Sequence, residues 1–326
     1  MAKAASGDRT ALARLLSIVE QGGEPARAAG RLTWPLGGRA STVGITGAPG
    51  AGKSTLTDAL IAVVRATGEH VAVLAIDPSS PFTGGAVLGD RVRMSRHFLD
   101  HGVYIRSMAT RGHLGGLSAA APEAIRTLDA VGFPWILVET VGVGQVEIEI
   151  AAEADTTVVV VNPGWGDSVQ ASKAGLMEIA DIFVINKADR AGVAETERDL
   201  ECMIELSGGS DRGWRPRVLR TTAAEGVGVD AVWEAIAAHH TALARSGELT
   251  RRREERMRAE LHRIVRRQVE RRVADLTGGG RFASIEDDVI TRRIDPYSAA
   301  HAVVEVAVAE ASGVEHGDGL GEAPTG

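Results

Sequence analysis

A glycine-rich segment that ends in a lysine and a serine is the strongest chemical signal in this sequence. It has the sequence GAPGAGKS and stands directly after an apolar run and before a helical pattern. Glycines let backbone N–H groups wrap a phosphate chain without interference from Cβ atoms. In such a loop the lysine reaches the β- and γ-phosphates, and the serine hydroxyl ligates Mg²⁺. The predicted phosphate-binding residues are Gly47, Ala48, Pro49, Gly50, Ala51, Gly52, Lys53, Ser54 and Thr55.

A second signal, the tetrapeptide Asn186-Lys187-Ala188-Asp189, follows a later apolar run. The Asp189 carboxylate can accept two hydrogen bonds from guanine N1–H and the 2-amino group, whereas adenine offers no matching donor pair. Asn186 is expected to tie this base loop to the phosphate loop, and the Lys187 stem to cover the base. A backbone N–H of Thr222 or Ala223 is a further candidate donor to guanine O6, although an ordinary loop explains that dipeptide as well. The two motifs together predict GTP or GDP as the ligand.

An apolar run ending in Glu139-Thr140-Val141-Gly142 occupies the position of a Walker-B strand. Glu139 is expected to hold Mg²⁺ through water, and the Gly142 N–H to sense the γ-phosphate. Val143 stands where signalling GTPases place a glutamine that orients the attacking water. An apolar side chain cannot do so, and we therefore expect slow hydrolysis by the protein alone and dependence on a partner or on dimerisation.

Further polar residues fall on loops at the same predicted edge of the sheet. Asp77 and Asp90 are candidates for contact with Mg²⁺ or the attacking water, with a turn aspartate and a helix cap as the structural alternatives. The glycine-rich loop from Asn162 to Asp167, with Lys173 beyond it, predicts a switch that reports nucleotide state to a partner. An ordinary strand-to-helix turn is the alternative there. The histidines have no spacing that predicts a metal site.

Seven apolar runs alternate with helical patterns, which predicts an α/β fold: a P-loop NTPase with a mostly parallel central sheet. The runs are Thr42–Ile45, His70–Ile76, Val103–Ile105, Trp135–Val138, Thr156–Val161, Ile182–Ile185 and Val218–Leu219. The helical patterns between them cover Lys53–Ala66, Arg91–Leu99, Leu117–Ala130, Gln145–Ala152, Val169–Glu178, Val193–Leu206 and Val229–Ala244.

Helical extensions flank this core. An N-terminal extension covers residues 1–40, where Asp8 can cap a helix that the stretch Gly22–Pro25 ends. The GTPase domain covers 41–246, a C-terminal helical extension covers 247–312, and a disordered tail covers 313–326. The extension includes an arginine-rich amphipathic helix, Arg251–Arg272, whose interleaved glutamates favour salt bridges on a solvated face.

Composition excludes several classes of protein. The chain has 326 residues, a net charge of −7 and one cysteine, Cys202. The net charge gives no attraction to nucleic acid or to an anionic membrane. A lone cysteine cannot form an intramolecular disulfide or a cysteine-rich zinc site. With no long apolar stretch or signal sequence, we expect a soluble cytoplasmic protein.

These motifs, and above all the stretch DPSSPFTGGAVLGDRVR from Asp77 to Arg93, resemble the MeaB/ArgK family of P-loop GTPases. The resemblance extends over most of the chain. It implies a homodimeric GTPase that acts as chaperone of an adenosylcobalamin-dependent acyl-CoA mutase, usually methylmalonyl-CoA mutase, and gates cofactor loading and reactivation. It also implies that Asp77, Asp90 and Glu139 are magnesium-site and switch acids. Asp167 and Lys173 would fall in a loop linked to the mutase.

Three other functions remain open from the sequence. A metallocentre-assembly GTPase shares the same core but would be expected to carry a Cys/His metal relay. A GTP-dependent protein kinase of a transport system would transfer the γ-phosphate to a protein. A non-catalytic guanine-nucleotide scaffold would lack the Mg²⁺ ligands expected at Ser54 and Glu139.

Overall fold

The structure is a computed structural model that describes residues 1–77, 94–109, 120–140, 153–164, 179–206, 213–277 and 280–311. Its centre is a sheet of seven parallel strands in the spatial order β3-β2-β4-β1-β5-β6-β7. The strands are β1 Ser41–Gly47, β2 Val71–Asp77, β3 Val103–Ala109, β4 Trp135–Thr140, β5 Thr156–Val161, β6 Ile182–Asn186 and β7 Arg217–Thr221. The prediction of an α/β fold with a mostly parallel central sheet is therefore confirmed.

Helices cover both faces of the sheet. They are α1 Ala2–Ala5, α2 Arg9–Gln21, α3 Gly23–Thr33, α4 Lys53–Ala66, α5 Ala120–Ala130, α6 Val193–Leu206, α7 Val229–Ser246, α8 Glu248–Thr277, α9 Gly280–Ile290 and α10 Pro296–Ala311. Successive side chains of a strand point to opposite faces, so Val71 and Val73 pack with α4 and α7. Ala72 and Leu74 pack on the other face with α2, α3 and α5. Helix α6 carries the exposed Cys202 and covers that second face at β5 and β6.

The N-terminal helices are built on the sheet. The Asp8 carboxylate caps α2 by accepting hydrogen bonds from Thr10 N and Ala11 N, both at 2.9 Å. An ion pair of 2.6 Å between Glu20 of α2 and Arg106 of β3 adds to the apolar contact. The predicted end of the helix at Gly22 is present, but Pro25 does not stop the chain from being helical. It lies in the first turn of α3, where proline costs no hydrogen bond.

The chain divides into two compact units, Met1–Arg253 and Glu254–Gly326. The boundaries expected at residues 40, 246 and 312 remain sequence-based predictions. In the second unit, five apolar residues of α8 are 43–58% exposed: Met257, Leu261, Ile264, Val265 and Val269. No helix among the described residues is both long enough and apolar enough to span a membrane.

A buried ion pair holds the second turn of α8 at the amino edge of the sheet, the edge where the strands begin. Asp155, which precedes β5, is 1% exposed, and its carboxylate accepts hydrogen bonds from Arg253 at 2.6 and 3.1 Å. Arg253 also donates to the carbonyls of Gly38 and Ala40 at 2.8 and 2.7 Å. The prediction that the arginines of this helix form a solvated face is therefore wrong for Arg253, because its guanidinium reaches buried acceptors of the sheet.

We expect Arg253→Met to lower the free energy of unfolding by about 3–5 kcal/mol, because it leaves the buried Asp155 charge without its cation. Urea unfolding followed by tryptophan fluorescence measures the change. Arg215→Met is the matched control, since Arg215 pairs at 2.9 Å with Glu201 on the exposed surface, where such pairs contribute about 0–1 kcal/mol. Equal decreases in the free energy of unfolding of the two variants would show that the buried pair stabilises the fold no more than the exposed pair.

A neighbouring histidine, His239 of α7, is fully buried. Its Nδ1 lies 2.9 Å from Thr156 Oγ1. Burial, followed by the positive charge of Arg252, lowers the pKa of His239 to about 3. The Asp181 carboxylate lies 3.3 Å from Nε2 but already receives Arg252 and the Thr157 amide. Burial outweighs this carboxylate, so His239 is a neutral imidazole with one ring proton in the folded protein at neutral pH.

Neutral burial of His239 makes stability depend on pH. In the unfolded chain the His239 imidazole takes up a proton near pH 6.5, whereas in the folded chain it does so only near pH 3. The contribution of neutral His239 is therefore complete above the unfolded pKa and is lost as the pH falls towards the folded pKa. We expect the wild type to lose about 2 kcal/mol relative to His239→Gln between pH 7 and pH 5. Urea titrations of both proteins at each pH measure the two free energies of unfolding. If His239 were protonated in the folded protein, these free energies would depend on pH in the same way.

Candidate functional site

Described polar residues from the sequence motifs, Lys53, Ser54, Glu139 and Asn186, lie at the carboxyl edge of the sheet, where the strands end. The ends of β4, β1, β5 and β6 are neighbours there, because these four strands are adjacent in the sheet. In open parallel sheets, ligands bind outside the carboxyl ends of the strands. This edge is therefore the candidate site.

Two glycines let the loop after β1 fold tightly against its neighbours. A Cβ atom on Gly47 would lie 2.0 Å from the carbonyl oxygen of Val160 in β5. One on Gly52 would lie 2.2 Å from Asn186 Nδ2, and Gly52 has a φ of +93°. Larger residues at either position would push the loop away from β5 or β6. The loop leads directly into α4, whose first backbone N–H groups suit an anion.

The lysine of this loop is held inside it. Lys53 is 5% exposed, and its Nζ donates to the carbonyl oxygens of Gly47 and Ala48 at 2.6 and 3.0 Å. Thr55 follows in the first turn of α4 and is half-buried, whereas Pro49 is exposed. A buried ammonium group beside a helix N-terminus favours a negatively charged ligand.

Ser54 and Glu139 place two oxygen ligands side by side. Ser54 Oγ donates a hydrogen bond of 2.5 Å to Glu139 Oε1, and the Glu139 side chain is 3% exposed. The contact forms because β4 lies beside β1, with Glu139 paired in register with Ile45. Hydroxyl and carboxylate oxygens are hard donors of the kind that Mg²⁺ takes. Within the described residues no cluster of three or more His, Cys, Asp or Glu side chains could hold a metal.

The side chain of Asn186 links the loop after β6 to the loop after β1. Its Nδ2 donates to the carbonyl oxygen of Ala51 at 2.9 Å. Its Oδ1 accepts from Thr221 Oγ1 and from Ala223 N, both at 3.1 Å. One buried amide thus fixes three segments of the carboxyl edge relative to one another.

Lys187 and Asp189 complete the second loop. Lys187 adopts a positive φ of 59°, and its Nζ donates to the carbonyl oxygen of Gly50 at 2.6 Å. Asp189 follows in a turn and is exposed, so its carboxylate is open to a ligand. This loop therefore combines a lysine stem that reaches the phosphate loop with an accessible carboxylate.

The amides of Thr222 and Ala223 both have hydrogen-bond partners within the protein. Thr222 N donates to Val227 O at 3.0 Å, and Ala223 N donates to the Asn186 side chain. A bond from either amide to guanine O6 would require the loop to give up one of these contacts.

Asn162 is a site residue that the sequence identified only as the start of a glycine-rich loop. It follows β5, and its Nδ2 lies 3.5 Å from the same Gly50 carbonyl that Lys187 contacts. Nearby, Gly164 N donates to Thr196 Oγ1 of α6 at 3.0 Å. The sequence feature that could have identified Asn162 as a site residue is its position directly after an apolar strand.

Several predicted residues lie outside the described part of the chain. These are Asp90, Gly142, Asp167 and Lys173, together with Val143. Asp77 ends β2, paired with Ala109 of β3, but its side chain lies outside the described part as well. Their roles remain predictions.

Comparison with known proteins assigns the chain to a family. The sequence model for the family described as "Methylmalonyl Co-A mutase-associated GTPase MeaB" matches residues 12–277. A protein of Pyrococcus abyssi whose name assigns it to the GTPases is 52% identical over 301 residues, which cover 92% of this chain and 93% of that protein. The GTPase ArgK of Escherichia coli is 39% identical and covers 76% of this chain and 77% of its own length.

Two further matches come from a mitochondrial protein and a crystal structure. The mouse methylmalonic aciduria type A homolog is 35% identical over 230 residues, covering 70% of this chain and 55% of that protein. A crystal structure of the LAO/AO transport system kinase superposes with a TM-score of 0.68 at 28% identity, covering 93% of this chain and 95% of that chain. With the loops after β1 and β6 in place at one edge of a parallel sheet, the chain belongs to the MeaB/ArgK family of P-loop GTPases.

Proposed function

We propose that the protein is a Mg²⁺-dependent GTPase that serves as the chaperone of an adenosylcobalamin-dependent acyl-CoA mutase, with methylmalonyl-CoA mutase as the first candidate. In this role it gates cofactor loading and protects or reactivates the mutase. The observation that carries the GTPase assignment is the Asn186 amide. It joins the loop that holds Lys53 and Ser54 to the loop that presents Asp189.

The nucleotide's contacts follow from these two loops. Residues 47–55 would hold the phosphates, with Lys53 supplying the positive charge and the N-terminus of α4 the backbone donors. Asp189 would accept from the guanine N1–H and 2-amino group. The Lys187 stem would lie along the base while its ammonium stays near Gly50.

The oxygen-bearing side chains beside the expected position of the phosphates are suited to hold magnesium. Ser54 and Glu139 supply two oxygens in contact with each other, and Asp77 ends the neighbouring strand. When bound, the ion would neutralise charge on the β- and γ-phosphates. Glu139 positions the Ser54 hydroxyl. Lys53 would place its positive charge beside the phosphates from a buried position.

The partner assignment is supported by the family description and by the name of the mouse relative. A homodimer formed through residues 247–312 is supported by the exposed apolar residues of α8, which a second copy could cover. The single cysteine is consistent with a reducing, cytoplasmic setting. One cysteine and scattered histidines in the sequence argue against the Cys/His relay expected for a metallocentre-assembly GTPase.

GTP hydrolysis by the purified protein, alone and with methylmalonyl-CoA mutase of the same organism, tests the proposal. We expect slow hydrolysis alone and stimulation of about 10- to 100-fold by the mutase, which corresponds to about 1.4–2.7 kcal/mol off the barrier. Nucleotide labelled at the γ-phosphate shows where the phosphate goes. Label recovered on protein would support a kinase, and fast turnover of the isolated monomer would contradict dependence on a partner.

We expect Asp189→Asn to weaken GDP binding by about 10- to 100-fold, because a carboxamide replaces one acceptor by a donor opposite guanine. The variant should instead favour xanthosine diphosphate, whose 2-carbonyl can accept from the new amide. Titration of fluorescent diphosphates measures both affinities. Asp199→Asn, at an exposed position on α6, is the matched control and should bind as the wild type does. Unchanged guanine selectivity in Asp189→Asn would remove this residue from base recognition.

A further inference from the structure

A cavity of about 300 Å³ lies at the amino edge of the sheet, away from the loops at the carboxyl edge. It is bounded by the N-terminal helices, the starts of β2 and β3 and the turn before β4. The lining residues that matter here are Arg9, Leu12, His70, His101, Tyr104 and Phe133. A volume near 300 Å³ is at the lower end of the range that holds small ligands.

Aromatic side chains form one wall of this cavity. The rings of Tyr104 and Phe133 have centroids 6.2 Å apart and are tilted by 47°. His70 lies 6.5 Å from Phe133 at 50°. Tilted rings of this kind leave faces and edges against which another planar ring can pack. The wall therefore suits a small flat molecule better than a flexible chain.

Arg9 gives the cavity its charge. Its guanidinium lies over the Tyr104 ring at 5.8 Å, and Nη1 donates to the carbonyl oxygen of Asp100 at 3.1 Å. Within the described residues no carboxylate lies at ion-pair distance from Arg9. It is the one arginine or lysine among the lining residues.

The two acids beside Arg9 are engaged elsewhere. Asp100 accepts from Arg65 at 2.9 Å and from Gly102 N at 2.7 Å. The Asp8 carboxylate accepts the two amides that it caps at the start of α2. The exposed imidazole of His101 adds a further polar group to the lining. Arg9 thus faces the cavity beside an aromatic wall, and the Asp8 carboxylate, which is also in the lining, is held by the amides of α2.

We propose that this cavity binds a small aromatic carboxylate, with the ring against Tyr104 and Phe133 and the carboxylate on Arg9. One guanidinium presents paired donors that match the two oxygens of a carboxylate. The cavity and its ligand are independent of the nucleotide site.

Binding of benzoate to the full-length protein, followed by isothermal titration and ligand-observed NMR, tests this proposal, with benzamide as the neutral probe of the same shape. We expect saturable benzoate binding that is at least tenfold tighter than that of benzamide. Arg9→Met should weaken it at least tenfold. Arg14→Met, an exposed substitution on the same helix outside the cavity, is the matched control and should leave it unchanged.

A second variant tests the proposal independently if Arg9→Met fails to fold. His101→Glu places a negative charge at an exposed lining position and should abolish benzoate binding by repulsion. GDP affinity should be unchanged in the folded variants, because the nucleotide loops lie at the opposite edge. The proposal is overturned if wild-type protein shows no saturable benzoate binding, if benzamide binds equally well, or if His101→Glu binds benzoate as the wild type does.

Discussion

The carboxamide of Asn186 is the contact through which the two loops of the candidate site become one surface. Its donor holds the carbonyl of Ala51, and its acceptor receives a hydroxyl and an amide from the segment after β7. An amide is suited to this position because it donates and accepts at once, without introducing a charge into a buried place. The close approach that it needs is possible because residue 52 is glycine.

The two edges of the sheet are specialised in different ways. At the carboxyl edge, β5 is followed by Asn162 and β6 ends in Asn186, and both side chains reach the loop after β1. At the amino edge the same strands are preceded by Asp155 and Asp181, which accept hydrogen bonds from the second turn of α8. Between these ends both strands are fully buried, and their residues are apolar apart from Thr156 and Thr157. Buried strands therefore connect the polar edge of the candidate site to a charged anchoring edge.

Local patterns predicted the elements well, because each one carries its own signal. Every predicted strand is present, and the predicted helices Lys53–Ala66 and Val193–Leu206 have the observed bounds. The described part of the predicted helix Arg91–Leu99 contains only the 3₁₀ turn Ser95–His97. Helix α3 was missed because Gly22 and Pro25 are equally good signals for ending a helix and for starting one. The Arg253–Asp155 pair could not be predicted, since it joins residues 98 positions apart in a pattern that also suits a solvated helix.

The solitary thiol of Cys202 has a practical consequence. It is exposed on α6, whose opposite face packs on the strand that ends in Asn186. A dye or spin label attached there would react at one position in the native sequence, with no background from other thiols. The label would lie on the helix that follows the Asn186–Asp189 loop, without replacing any residue of that loop. In an assembly of two copies, the same chemistry would give one symmetric interprobe distance, a direct ruler for changes that accompany turnover.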